Sequence, residues 1–341
     1  MSKHKTGSNM DYMLLATVVV LLAFGLLMLY SATFYIGTDF WTRQLGWTAI
    51  GLVVMFVFYK VPYSVWRVIA LPMMIVTLVL LILVLVLGER VLGAQRAIFG
   101  SSVQPGVLAR LVAVIYIAAW LASKGEQLNK IDYGLVPFGV IIGIVAGFVA
   151  MQPDLSTAVL IAITGLAMFF FAGGDPIQIF ASLVLGTVGF FMAAMKFKSK
   201  YTYAATRLTD FLASFKDPSK MPYHVHSAIL AISEGGLIGT GIGSGRLKFG
   251  YLPIPHTDSI FAVIGEEIGL VGTLLVIGLY IFLTYRGFRV TLESPDPFGS
   301  LLAFGITIMI SSEALMNILV MTGLMPFTGT ALPFFSYGGT E

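Results

Sequence analysis

Long runs of apolar residues, separated by short polar connections, recur along the whole chain. A run of about 20 mostly apolar residues crosses a bilayer as an α-helix. We interpret nine runs as membrane-spanning helices. The predicted spans are residues 12–30, 40–59, 68–87, 107–121, 134–151, 155–171, 177–195, 260–285 and 298–323.

One long polar segment, about residues 196–259, interrupts this pattern. Its prolines and its glycine series between residues 235 and 250 are typical of short surface helices and tight turns, and a flexible loop is the alternative. The glycines do not fit the dinucleotide fingerprint in register, and a phosphate-binding P-loop motif is absent. The sequence therefore predicts an all-α polytopic membrane protein with one large loop on one side.

The composition agrees with a membrane protein. Hydrophobic residues make up 57% of the chain and charged residues only 11%, and the mean hydropathy is +0.92. Such a chain has too few polar side chains to cover a water-soluble globule. The absence of cysteine excludes disulfides, thiolate metal sites and thiol nucleophiles. The net charge of +3 is too small to indicate a nucleic-acid partner.

The distribution of lysine and arginine predicts the orientation. With a cytoplasmic N-terminus, the inner segments contain eight lysines and arginines, and the short outer loops contain three. This excess supports that orientation, because positively charged loops stay inside. Segment 196–259 then lies outside the cell. Nine spans would also place Glu341 outside, within a stretch rich in glycine and serine, so we expect a tenth helix to be missing.

Ionisable side chains inside or beside a span are costly and by default indicate function. In the predicted orientation, all of them lie at the outer surface or in the outer half of the bilayer. They are Arg110, Asp154, Asp258, Glu266, Glu267 and Glu313. Arg90 and Arg96 lie in an outer loop on the same side. The pattern predicts a polar site that opens outward.

Helical geometry separates the two neighbouring glutamates. With 100° and 1.5 Å per residue, Glu266 lies about 80° round and about 12 Å deeper than Asp258, whereas Glu267 points roughly the opposite way. We therefore expect Asp258 and Glu266 to line one cavity. The alternatives are structural: a buried ion pair or cap for Glu266, Glu267 and Glu313, and an N-cap of the eighth span for Asp258.

Other chemical signals are weaker. His224 and His226 could share one face of a strand and bind a metal, but without a third ligand at a suitable spacing, solvated loop histidines are favoured. The nucleophile elbow G-x-S-x-G is also absent.

Several motifs resemble those of the SEDS family of shape, elongation, division and sporulation proteins. The segment 251–269, which contains His256-Thr257-Asp258, resembles the family signature. Further matches follow the family order at residues 93–96, 151–155, 235–239 and 325–339. Segments 207–212 and 243–253 resemble the FtsW branch of the family more closely than the RodA branch.

This resemblance implies ten transmembrane helices with both termini in the cytoplasm. It also implies polymerisation of lipid II, the undecaprenyl-diphosphate-linked disaccharide pentapeptide, into glycan strands on the outer face of the bacterial cytoplasmic membrane. The FtsW branch implies septal synthesis in cell division. The implied partners are a class B penicillin-binding protein, which is a transpeptidase, and other divisome membrane proteins. Alternatives are a lipid II flippase, an elongation polymerase of the RodA type and an inactive scaffold.

The resemblance also assigns roles to residues. It places the essential aspartate of the family on Asp258 and the conserved arginine on Arg96. A carboxylate at the membrane surface suits a general base, and Arg96, Arg110 or a divalent cation such as Mg or Mn would stabilise the departing diphosphate. The other residues expected to bind substrate are Gln104, Asp154, His256, Thr257, Glu266, Glu313 and Ser336.

One motif departs from the family pattern. Where the family has Gln-Pro-Ser-Glu followed after two residues by Lys, segment 104–110 has valine in place of the glutamate and arginine in place of the lysine. An ion pair between those two positions is impossible here. Arg110 is therefore expected to pair with Glu313 or Glu266, or to contact the substrate diphosphate.

Overall fold

The computed structural model describes residues 10–87, 89–91, 94–97, 105–152, 154–196 and 198–338. The helices, in chain order, are α1 (Tyr12–Thr33), α2 (Asp39–Lys60), α3 (Ser64–Leu87), α4 (Pro105–Lys124), α5 (Val136–Met151), α6 (Leu155–Phe171), α7 (Pro176–Lys196), α8 (Lys198–Ser214), α9 (Tyr223–Gly235), α10 (Ile260–Glu293) and α11 (Pro297–Met321). Single turns of 3-10 or π helix occupy Gly125–Asn129, Ile131–Leu135 and Pro218–Lys220. Strands β1 (Glu89–Val91) and β2 (Ala94–Ala97) pair antiparallel.

The nine predicted apolar runs fall on helices α1 to α7, α10 and α11. Within the described ranges, seven helices are long and apolar enough to cross a membrane, and α6 and Pro176–Gly186 of α7 are shorter apolar helices. The prediction of an all-α polytopic membrane protein is confirmed. The ribbon of β1 and β2 is an unexpected addition, because strands of three and four residues leave no clear hydropathy pattern.

Aspartate side chains define the start of three helices. Asp11 accepts hydrogen bonds from the amides of residues 13 and 14 at the start of α1. Asp154 accepts from the amide of residue 157 in α6, and Asp296 accepts from that of residue 299 in α11. Each carboxylate satisfies amides that have no partner inside the helix. The cap at Asp154 places the start of α6 at the polar site described below.

Two apolar clusters stabilise the bundle and meet along α11. One cluster joins α1, α9, α10 and α11 with residues 327–335. The other joins α3, α4, α5 and α6 with the first half of α11. Helix α11 therefore packs against α4, α6 and α10. By contrast, α2 buries no residue, as suits an apolar helix surrounded by lipid.

Helix α10 is interrupted at Gly269, whose φ of +71° lies in the region that favours glycine. The amides of Leu270 and Val271 leave the helical pattern and donate to the carbonyls of Gly236 and Leu237. The chain after α9 is thereby attached to α10. The predicted polar loop 196–259 thus contains α8 and α9 and packs on the bundle.

Candidate functional site

Asp258 lies in the turn that leads into α10 and is only 9% exposed. The Thr257 hydroxyl donates a hydrogen bond to its Oδ1 (2.9 Å). The side-chain amide of Asn317, on α11, donates to its backbone carbonyl (2.8 Å), so α11 holds this turn in place. The N-cap of α10 is Ser259, without a side-chain capping bond. The alternative that Asp258 caps this helix is therefore wrong.

The surroundings of Asp258 alter its basicity. Burial raises the pKa of the carboxyl, because the charged form loses hydration. The Thr257 hydrogen bond and the positive charges of His224 and Arg207 lower the same pKa in part. The net effect is an upward shift, and a more basic carboxylate suits proton abstraction.

A small polar cavity of about 40 Å³ lies between α4, α6 and α11. Its polar lining comes from Arg110, Asp154, Ser156, Thr157, Glu313 and Thr330. Gly329 also lines it, and a Cβ atom at this glycine would lie 3.8 Å from Oδ2 of Asp258. The carboxylate of Asp258 and the polar cavity are therefore neighbours.

An ion pair joins two helices in the wall of this cavity. Nη1 of Arg110 lies 2.6 Å from Oε1 of Glu313, and the side chains are 8% and 12% exposed. Of the two carboxylates expected as partners, Glu313 is the one that pairs. Nε of Arg110 is buried and has no hydrogen-bond partner among the described residues. Asp154 accepts a hydrogen bond from the Thr157 hydroxyl (2.9 Å) in addition to capping α6.

A larger, mostly apolar cavity of about 220 Å³ adjoins the polar one. Its apolar lining comes from Val107, Leu108, Leu111, Met309, Ile310 and Phe334, among others. Arg110 and Glu313 line both cavities. The ion pair therefore marks the boundary between a polar and an apolar compartment.

The chain after α11 returns to the turn before Asp258. Ser336 donates its hydroxyl to the Thr257 carbonyl (2.8 Å) and accepts the Leu332 amide (2.8 Å). The amide of Tyr337 donates to the His256 carbonyl (2.8 Å). His256, Thr257 and Ser336, all predicted to bind substrate, are thus brought together. In this structure Ser336 holds the backbone of the turn.

Glu266 has backbone partners in this structure, and a cavity that it shares with Asp258 stays a prediction from the sequence. Its carboxylate accepts hydrogen bonds from the backbone amides of Arg246 and Leu247, and it lines neither cavity. Buried amides need hydrogen-bond acceptors, and the buried Glu266 carboxylate supplies them here. Glu267 faces elsewhere, as expected, and pairs with the fully buried Lys248 (2.5 Å).

Two predicted substrate ligands cannot be placed as side chains. Gln104 lies outside the described residues. Arg96 lies in β2, and its side chain is outside the described part of the structure. Both therefore remain predictions from the sequence.

The sequence interpretation missed a group beside Asp258. His224 and His226 lie on α9, so their assignment to a strand or loop was wrong, and His224 is half-buried against the Phe327 ring (4.6 Å between centroids). Arg207 on α8 contacts the same phenylalanine. The apolar spacing at residues 225, 228, 229 and 232 indicates a helix and could have revealed the arrangement.

The described residues do not form a metal site by themselves. Among them, no group of three or more His, Asp or Glu side chains could hold a metal ion. Asp154 and Glu313 share the polar cavity, but the first is bonded to Thr157 and the second to Arg110. Both carboxylates of this cavity are therefore already engaged by neighbouring side chains.

Similarity to known proteins covers nearly the whole chain. Residues 11–341 match the family of FtsW, RodA and SpoVE, described as cell cycle proteins. A probable peptidoglycan glycosyltransferase FtsW from Trichlorobacter lovleyi is 36% identical over 97% of this chain and 89% of its own length. Stage V sporulation protein E from Bacillus subtilis is 35% identical over 97% of this chain and 92% of its own length.

Solved structures share the fold. A chain from a peptidoglycan synthase complex, solved to describe the structural coordination of polymerization and crosslinking, matches with a TM-score of 0.76 and 27% identity, over 97% of this chain and 92% of that chain. The rod shape determining protein RodA of Thermus thermophilus matches with a TM-score of 0.70 and 28% identity, over 97% and 91%. Sequence and fold together establish that this chain belongs to the FtsW, RodA and SpoVE family, the SEDS family that its motifs resemble.

Proposed function

We propose that this protein is a peptidoglycan glycosyltransferase that polymerises lipid II into glycan strands for septal synthesis in cell division. One observation carries the proposal: the buried Asp258 carboxylate adjoins a cavity that holds the Arg110 cation, and this cavity adjoins an apolar one. The relatives named as probable peptidoglycan glycosyltransferases support it.

The chemistry assigns a separate role to each charged side chain. The hydroxyl oxygen of the acceptor sugar forms a bond to the anomeric carbon of the donor, and Asp258 takes the hydroxyl proton. The bond from that carbon to the lipid diphosphate breaks, and its electron pair goes to the departing oxygen. Arg110 stabilises this negative charge in a partly desolvated cavity, with its unpartnered Nε as one donor.

The order of the two cavities matches the order of groups in the substrate. A lipid-linked sugar has a polar glycan, a diphosphate and an apolar chain in succession. Here Asp258 lies on the polar side, Arg110 at the boundary and the apolar cavity beyond it. Such an arrangement would place the diphosphate at Arg110 and the start of the lipid chain among Leu108, Leu111 and Met309.

The remaining roles belong to the proposal too. Arg96, Gln104, Asp154, His256 and Thr257 are proposed to contact substrate. No step is assigned to a divalent cation, because both carboxylates in the polar cavity are engaged by neighbouring side chains. Dependence on Mg or Mn stays a prediction, which removal of divalent cations with a chelator would test.

The location and partner complete the proposal. The excess of positive charge on the opposite side supports a position of Asp258 at the outer face of the bacterial cytoplasmic membrane, with the N-terminus in the cytoplasm. The proposed partner is a class B penicillin-binding protein, within the divisome. Similarity to a chain of a peptidoglycan synthase complex supports a partner that crosslinks the strands.

Reconstitution with labelled lipid II tests the function. The protein, with and without its transpeptidase partner, should produce a ladder of glycan strands, and Asp258→Asn should abolish it. Asp217→Asn, at a solvent-accessible carboxylate (46% exposed) between α8 and α9, is the matched control and should retain the ladder. A missing ladder under every condition, with lipid II translocation intact in vesicles, would support the flippase instead. A ladder from Asp258→Asn would exclude Asp258 as the general base.

A further inference from the structure

Two basic side chains from different helices meet on one aromatic ring close to Asp258. The guanidinium carbon of Arg207 on α8 lies 4.6 Å from the centre of the Phe327 ring, and Nη1 donates to the Phe327 carbonyl (3.1 Å). The imidazole of His224 on α9 stacks on the same ring, with centroids 4.6 Å apart. Phe327 thus positions two side chains that can each carry a positive charge.

This group is adjacent to the proposed general base. A Cβ atom on Gly329 would lie 3.8 Å from Oδ2 of Asp258 and 3.9 Å from Phe327. Both side chains act electrostatically on Asp258, and among the described residues they are the charged groups of α8 and α9 that do so. Arg207, His224 and Phe327 are absent from the lining of the cavity that contains Arg110. The two cationic centres are therefore distinct and share Asp258 as a neighbour.

His224 retains an unsatisfied polar atom. Its Nδ1 is buried and has no hydrogen-bond partner in the part of the chain that the structure describes. A buried polar atom in a native protein usually has a partner, and its absence suggests a bound water or ligand. Burial and the nearby Arg207 lower the pKa of His224, whereas Asp258 raises it. An anion at this position would supply negative charge and favour the protonated form.

The proposed reaction requires more than one anionic group at this end of the bundle. In polymerisation of lipid-linked sugars, the donor and the acceptor each carry a diphosphate close to the reacting sugar. Two diphosphates beside one carboxylate repel one another and the carboxylate, unless a cation accompanies each. Arg110 can bind one of the two diphosphates. We assign it to the diphosphate that departs from the donor.

We propose that Arg207 and His224 form a second diphosphate-binding centre, which holds the other lipid-linked sugar next to Asp258. The inference rests on the proposed glycosyltransferase function and extends it. Arg207 supplies a permanent positive charge on a planar guanidinium, a group that suits phosphate oxygens. His224 supplies a charge that appears as the pH falls, so binding at this centre depends on pH.

Kinetics with two separate substrates test the centre. The protein is reconstituted in nanodiscs with its partner, and a lipid-linked tetrasaccharide as donor and labelled lipid II as acceptor are varied in turn. Arg207→Gln should raise the KM of one substrate at least about tenfold, the loss typical of one charge-assisted hydrogen bond, and leave the other nearly unchanged. Arg207→Lys should restore part of the loss. The KM expected to rise is that of the acceptor, because Arg110 is assigned to the departing group of the donor, and a rise for the donor alone would contradict this assignment.

The pH dependence separates substrate binding from a structural role. Between about pH 8 and about pH 6, wild-type affinity for that substrate should increase, and His224→Gln should abolish the increase. His226→Gln, an exposed histidine two residues later on α9, is the matched control and should behave as wild type. Equal changes in both KM values, or an unchanged pH dependence in His224→Gln, would overturn the proposal.

Binding without turnover keeps this test independent of the proposed function. Labelled lipid II binding is measured in Asp258→Asn, alone and combined with Arg207→Gln, and inorganic pyrophosphate is added as a competitor. Two results would support the centre, even if no variant polymerises lipid II. The combined variant should bind lipid II more weakly than the single variant Asp258→Asn, and pyrophosphate should compete with lipid II in the single variant but not in the combined one. Equal binding by both variants would overturn it.

Discussion

Arg110 on α4 and Glu313 on α11 form a nearly buried ion pair, with Nη1 and Oε1 2.6 Å apart, at the boundary between a polar and an apolar cavity. Both residues belong to apolar helices that can cross the membrane. A single charge in such a helix is costly, and a partner of opposite sign offsets part of that cost. The pair therefore connects two helices at the point where we propose that the diphosphate binds.

Breaking this pair from one side should destabilise the protein. Glu313→Gln leaves the Arg110 charge without its partner, and a loss of about 3 kcal/mol is expected. The double variant Arg110→Met/Glu313→Leu removes both charges and should unfold near the wild-type temperature, yet make no glycan polymer. Thermal unfolding in detergent and lipid II polymerisation are the two measurements. A double variant as unstable as Glu313→Gln would show that packing, and not an unpaired charge, causes the loss.

A carboxylate placed on α4, the helix of Arg110, should be able to replace Glu313 as the partner of Arg110. Residue 107 lies three positions before Arg110, one helical turn away, where the family motif has a glutamate. Val107→Glu combined with Glu313→Gln should recover most of the thermal stability lost in Glu313→Gln. Leu108→Glu with Glu313→Gln is the control, since positions two apart on a helix do not face each other. Equal recovery by both would contradict an ion pair with Arg110.

Local patterns were sufficient for some features and insufficient for others. Apolar runs predicted the helices because each run is continuous in sequence. The motif His256-Thr257-Asp258 identified Asp258 because its three residues are adjacent. The partners of Glu266 are two backbone amides 19 and 20 residues earlier. Ser31 and Glu267, which share a hydrogen bond, are 236 residues apart. Such contacts depend on how helices pack, and hydropathy does not encode this.

A second buried ion pair should be essential for the fold. Lys248, which is fully buried, contacts Oε1 of Glu267 (2.5 Å) and donates to the carbonyls of Ser31 and Gly243 (3.0 Å each). These bonds connect α1, α10 and the segment before Asp258. Lys248→Met leaves Glu267 charged and unpaired, and a loss of about 3–5 kcal/mol is expected.

Thermal unfolding of purified Lys248→Met measures this loss. Lys220→Met serves as the control, because Lys220 is exposed and its pair with Asp217 contributes little to stability. Equal unfolding temperatures for the two variants would show that the buried pair does not stabilise the protein.

The pH dependence of polymerisation should report the buried state of Asp258. As a general base, Asp258 acts only when deprotonated, so the rate falls as the pH drops through its pKa in the folded protein. Burial raises that pKa, which places the acid limb at a higher pH than for an exposed aspartate. The Arg207 charge lowers the same pKa, so Arg207→Gln should move the acid limb further upward.

Initial rates from about pH 4.5 to about pH 8, at saturating lipid II, measure the position of this acid limb. His226→Gln, a substitution at an exposed site on α9, should leave it in place. A downward shift in Arg207→Gln would contradict an electrostatic effect of Arg207 on Asp258.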